Sequence, residues 1–122
     1  MQKRSANEFP LHVGNLSRPG DRDKTTRCAA LRALGPGVYA IRTRHGHIKI
    51  GYSIDLGRRV GQLAAQDVLG FVIGGTYDDE QAIHRHLQGH AVRGREYYPE
   101  TTEVLEVVNL MRQRIGLSDL KV

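Results

Sequence analysis

Tyr39, Lys49, Tyr52, Arg59, Glu80, His84 and Glu96 are the side chains of this 122-residue chain whose types and spacing could do chemistry. A guanidinium grips phosphate through a planar fork of donors. A phenol, an imidazole or an amine moves protons, and a carboxylate holds a divalent cation. Together they form a minimal kit for opening a phosphodiester. Singly, each has a plainer role. Tyr39 packs into a core, Arg59 snorkels over apolar neighbours, and Glu80 complements the dipole at a helix start. Tyr97 and Tyr98 anchor a loop by their rings.

The elements that must position these groups are legible in outline. GVYAIRT (37–43) and HIKIG (47–51) flank Arg44-His45-Gly46, a hairpin signal. A three-residue loop with Gly46 left-handed sets Thr43 opposite His47, Ile41 opposite Lys49 and Tyr39 opposite Gly51. Val38, Ala40, Ile48 and Ile50 then share one face, and Tyr39, Ile41, Lys49 and Gly51 the other. A two-residue loop would instead put Tyr39 opposite Tyr52. Residues 55–66 fit an amphipathic helix capped by Ser53 or Asp55, with Leu56, Val60, Leu63 and Ala64 on its apolar face. Arg59 falls at the border of that face and Arg58 nearly opposite it.

VLGFVIGGTY (68–77) reads as a third strand, followed by a helix from an Asp78 or Asp79 cap to about Gly89 that buries Ile83 and Leu87. Glu80 and His84, four apart, stack on one side of it. Residues 91–99 read as a loop. Residues 101–115 form a helix with Thr101 or Thr102 as cap and Leu105, Val108, Met111, Arg112 and Ile115 inward. Upstream, 1 to about 20 is a basic tail, and 21–34 turns helical through Cys28, Leu31 and Leu34 before Gly35-Pro36 stops it. The expected fold is therefore α+β, ordered α-β-β-α-β-α-α, a small three-stranded antiparallel sheet flanked by helices. Residues 1–36 form a tail plus short helix, and 37–122 the functional domain.

Composition narrows the class. Lys and Arg total 18 against 13 Asp and Glu, a net charge of +5 that favours a polyanionic partner. No apolar run reaches the roughly 20 residues that span a bilayer, and MQKRSANEFP lacks a secretory signal's apolar centre. A membrane role is not expected. A lone Cys28 cannot form an internal bridge and points to an intracellular, cytoplasmic setting. His86 and His90 have zinc-ligand spacing, but Leu87 stands where a H-E-x-x-H site needs Glu, so zinc is not expected.

GVY at 37–39, KIG at 49–51 and YSIDLGRR ending at Arg59 resemble the GIY-YIG nuclease superfamily. Its second-motif Gly precedes an Arg by eight residues, as Gly51 precedes Arg59. The downstream E-x-x-x-H of Glu80 and His84, then G-R-E-Y-Y, looks like a phage-type subgroup with KIG for YIG and a G-E-W-F-like box. The likeness covers about residues 37–98.

The resemblance implies a metal-dependent endonuclease on DNA that uses one divalent ion, Mg²⁺ or Mn²⁺. Tyr39 would be the general base or orienter of water, and Arg59 would stabilise phosphate charge. Glu80 or Glu96 would bind the metal, and His84 would shuttle a proton. Lys49 replaces the usual second-motif Tyr, and Tyr52 or Lys49 itself would fill that role. The alternative is a catalytically degenerate module that binds DNA through Arg42, Arg44, Arg58, Arg93, Arg95 and the tail. A third reading is a protein-interaction domain. Whether the chain is a monomer or a homodimer stays open.

Overall fold

The computed structural model describes residues 31–63, 65–92, 94 and 96–121. The basic tail, Cys28 and most of the first expected helix lie outside the described residues, as do Arg93 and Arg95. The chain is α+β. Strands β1 (Gly37–Thr43) and β2 (Ile48–Ser53) precede helix α1 (Leu56–Gln62), and β3 (Ala65–Ile73) precedes α2 (Tyr77–His86). A two-residue strand, β4 (Tyr97–Tyr98), leads to α3 (Thr102–Arg114). The sheet is antiparallel in the order β3-β1-β2-β4.

The hairpin has the three-residue loop. Tyr39 pairs with Gly51 and Ile41 with Lys49. Thr43 N–H donates to His47 O at 2.9 Å, and Gly46 takes φ +82°, which a side chain would resist. Because side chains alternate across a strand, this register sorts the core into two halves. Tyr39, Ile41, Val68 and Phe71 pack with Leu56 and Val60 of α1 on one side. Val38, Ala40, Ile48, Ile50 and Tyr98 pack with Leu87 and with Val104, Leu105, Val108 and Met111 of α3 on the other.

Several boundaries differ from the sequence reading, and four of the differences have a plain physical reason. The sheet has four strands rather than three, because 97–98 in the expected loop pair with Lys49 and Ile48. Helix α1 stops at Gln62 rather than 66, and 65–67 extend β3 opposite Thr43 and Arg42 across two register shifts. Pairing of Ala65 and Asp67 to β1 overrides the helix preference of this stretch. Strand β3 ends at Ile73, not 77, because Gly74 turns the chain at φ +74°. Thr76, not Asp78 or Asp79, then caps α2. It accepts from Asp79 N–H at 3.2 Å while the Asp79 carboxylate accepts from Thr76 N–H at 2.8 Å, a reciprocal capping box.

After α3 the chain crosses to the other side, since Leu117 is buried in the α1-side cluster although α3 packs on the opposite face. Arg112 ties this crossing down. Its Nη1 donates to Leu69 O and its Nε to Ser118 O, both at 2.6 Å, and Asn109 exchanges bonds with the backbone of Leu120. No helix among the described residues is long and apolar enough to cross a membrane.

Candidate active site

Asp55 sets the phase of α1. Its Oδ1 accepts from Arg58 N–H at 3.2 Å, and its own N–H donates to Ser53 Oγ at 3.0 Å. With Leu56 and Val60 buried, Arg58 is exposed and Arg59 lies half-buried at the border of the apolar face, as the helix period requires. Arg59 Nε donates to the Tyr39 hydroxyl at 3.5 Å, a long bond, and Nη1 reaches Gln62 Oε1 at 3.3 Å. Tyr39 itself is 1% exposed. It fits because position 51 has no side chain: a Cβ on Gly51 would collide with the phenol oxygen and sit 2.6 Å from Cζ. A glycine at position 51 is thus required by the tyrosine at position 39.

The third group arrives from the sheet edge. Ile50 N–H donates to Glu96 O at 3.0 Å, which fixes the backbone at Glu96 beside β2. Lys49, 2% exposed, donates from Nζ to Glu96 Oε2 at 2.6 Å and lies 5.0 Å from the Tyr97 ring centroid. The Glu96 side chain keeps half its surface in water. The Lys49 hydrogen bond and charge hold its carboxyl below the usual range against partial burial, with His84 and Arg59 adding to the pull. The Tyr39 hydrogen bond, with the charge of Glu96 behind it, holds Arg59 above its ordinary value. Guanidinium, phenol, amine and one carboxylate therefore share a neighbourhood.

Glu80 and His84 are brought together with each other instead. Glu80 is buried, with Oε1 accepting from Gln81 Nε2 at 2.8 Å and lying 3.8 Å from His84 Nε2. His84 Nδ1 meets the Tyr98 hydroxyl at 2.5 Å, and the two rings stack at 5.7 Å and 17°. The His84 Nε2 atom is sealed from water without a hydrogen-bond partner. Burial pushes the Tyr98 phenol up to about 12, helped by the charges of Glu96 and Glu80. Tyr98 packs with the α2 and α3 side, so this cluster stands apart from Tyr39, and the field of His84 is felt at Glu96. Tyr52 is also set apart. It pairs with Val38, and the pleat turns it to the face opposite Tyr39. A cleft of about 430 Å³ outside α2, lined in part by Gln81, His84, Arg85 and Tyr98, does not include Tyr39, Arg59 or Glu96.

The ring anchors expected at 97–98 have polar partners that the sequence reading missed. Alternation within an extended Tyr-Tyr pair was the available signal, since it must send one ring to each face.

Of the two metal candidates, the half-exposed and ionised Glu96 fits a hydrated ion. Mg²⁺ keeps several waters and commonly binds proteins through one or two carboxylates plus substrate phosphate. The enclosed Glu80 does not offer that access. Among the described residues, no group of three or more His, Cys, Asp or Glu side chains is placed to hold a metal. Arg42, a candidate phosphate contact, is instead bound by Glu100 at 2.7 and 3.0 Å and by Asp67 at 3.3 Å. No protein-family model, no curated protein and no solved structure matches this chain.

Proposed function

We propose that this protein is a divalent-metal-dependent DNA endonuclease of the GIY-YIG kind, with Tyr39, Arg59, Lys49 and Glu96 as its working groups. The observation that carries the reading is the meeting of Arg59 with the Tyr39 hydroxyl, 20 residues away in sequence, within the field of Glu96. A phosphodiester entering from solvent meets the Arg59 fork first. The Tyr39 oxygen accepts from Nε and so aims the terminal nitrogens at the phosphate oxygens, where negative charge grows as water attacks in line. Because Tyr39 is almost fully buried, its hydroxyl reaches only a group seated at Arg59 and orients the attacking water there. Lys49 holds the Glu96 carboxylate in place and ionised. Glu96 would bind Mg²⁺ or Mn²⁺, and the ion would supply charge stabilisation to the departing oxygen. Glu80 and His84 support this arrangement from behind rather than touching the substrate.

The test is nicking of supercoiled plasmid in Mg²⁺ or Mn²⁺ beside EDTA. Cutting is expected only with metal, and Arg59→Ala should lower it at least ~100-fold, the usual scale for losing one transition-state donor. Metal-dependent nicking that Arg59→Ala leaves intact would overturn the site. A specific observation favours a second reading: one Glu96 oxygen is already taken by a buried ammonium. A module that binds DNA without cutting would show salt-sensitive association and no nicking in any metal.

A further inference from the structure

We propose that Tyr98 is a positioning residue, which by locking onto His84 of α2 fixes the 96–98 segment against β2 and so sets the Glu96 carboxylate before Lys49 and Arg59. The proposal rests on the endonuclease reading for its effect on cutting but not for its structural part.

Strand β4 has two paired residues, Ile48 opposite Tyr98 and Lys49 opposite Tyr97. Two backbone bonds flank them, Ile50 N–H to Glu96 O at 3.0 Å and Val92 N–H to Tyr97 O at 2.9 Å. So short an edge strand has little stability of its own. It needs a side chain to hold it, and Glu96 cannot serve, being half in water. Tyr97 contributes a ring beneath an ammonium of β2. Tyr98 bridges to another element, helix α2. It is 1% exposed, its ring lies against His84, and its hydroxyl meets Nδ1. His84 is itself braced, with Glu80 one helical turn before it and its other nitrogen closed off from solvent. The link therefore runs from a capped helix through two stacked rings to a strand, and the carboxylate that faces Lys49 stands two residues upstream of its end. Loss of the hydroxyl removes a directional contact in that link, while the ring's apolar packing stays.

Tyr98→Phe keeps the ring and removes the oxygen. Two measurements on the full chain separate positioning from general stability. In amide hydrogen exchange, Ile50 N–H, bonded to Glu96 O, should lose protection ~10-fold or more, while the amides that pair β1 with β3 keep theirs. In plasmid nicking, the Mg²⁺ concentration for half-maximal rate should rise ~5-fold or more. His84→Asn, which places a hydrogen-bonding atom near the position of Nδ1, should retain both values better than His84→Leu. Unchanged Ile50 protection in Tyr98→Phe, or an equal loss at every sheet amide, would overturn the proposal. Should the parent protein cut nothing, the exchange result still decides the structural link, and only the endonuclease reading falls.

Discussion

The face of the sheet under α1 and the face under α2 and α3 bury comparable apolar cores but treat their polar groups in opposite ways. Under α2 and α3, the hydroxyl of Tyr98, the ring of His84, the amide of Asn109 and the guanidinium of Arg112 bond inward, to one another or to backbone, and the buried Glu80 carboxylate accepts from the neighbouring Gln81 amide. On the α1 face, Tyr39 and Lys49 are equally buried, yet their partners Arg59 and Glu96 sit at the boundary with water. Inward bonding spends polar groups on holding the fold. A buried group whose partner stands at the surface presents that partner, oriented, to whatever arrives. Chemistry is expected on the α1 face and stability from the face under α2 and α3.

Substitutions can break this contrast. Leu87→Ala, in the α2 and α3 half, should cost about 2–5 kcal/mol in denaturant unfolding while nicking per folded molecule is kept. Gly51→Ala should do both kinds of damage. The added Cβ displaces the Tyr39 phenol, costing about 1–3 kcal/mol as an overpacked site and abolishing cutting. If Gly51→Ala cuts normally, the Tyr39 hydroxyl has no part in the reaction.

Two titrations sharpen the contrast further. The Glu96 carboxyl is lowered in the folded chain, so its contribution is complete above the ordinary carboxylate pKa and fades as pH falls through the folded value. Thermal unfolding followed into acid should show parent and Glu96→Gln converging there. The effect will be small, because half of the side chain is in water. Tyr98 is shifted the other way. Its phenol is raised to about 12, so the folded state binds its proton more tightly, and stability is lost as pH rises from the ordinary tyrosine value near 10 toward 12. Ultraviolet absorbance should show a phenol that ionises at higher pH in the folded parent than in the unfolded chain, a lag that Tyr98→Phe removes.

Much of the first face was legible in the sequence. Strand alternation and the Gly46 turn give the hairpin register, and the helix period separates Arg59 from Arg58. Both are local rules. The third member of the site was not, because the Lys49–Glu96 contact spans 47 positions and no local pattern distinguishes Glu96 from Glu80. The two stand as equal candidates in the sequence, and the helical spacing that sets His84 four residues after Glu80 lets that pair close on each other. The end of α1 was misread where sheet pairing competes with helix-favouring residues at 64–66. The α2 cap was misread because Tyr77 resembles a strand residue and hides the Thr76 signal just before it.

The bonds of Arg112 and Asn109 give the final residues a structural duty. A chain trimmed before Ser118 would leave one interior cation facing Leu69 O alone and one interior amide with neither of its backbone partners. Leu117, buried in the α1-side cluster, would become the end of the chain. The last turn of sequence thus works as a clasp that shuts the sandwich from outside. Fusion partners or tags belong beyond Lys121, not in place of the residues before it.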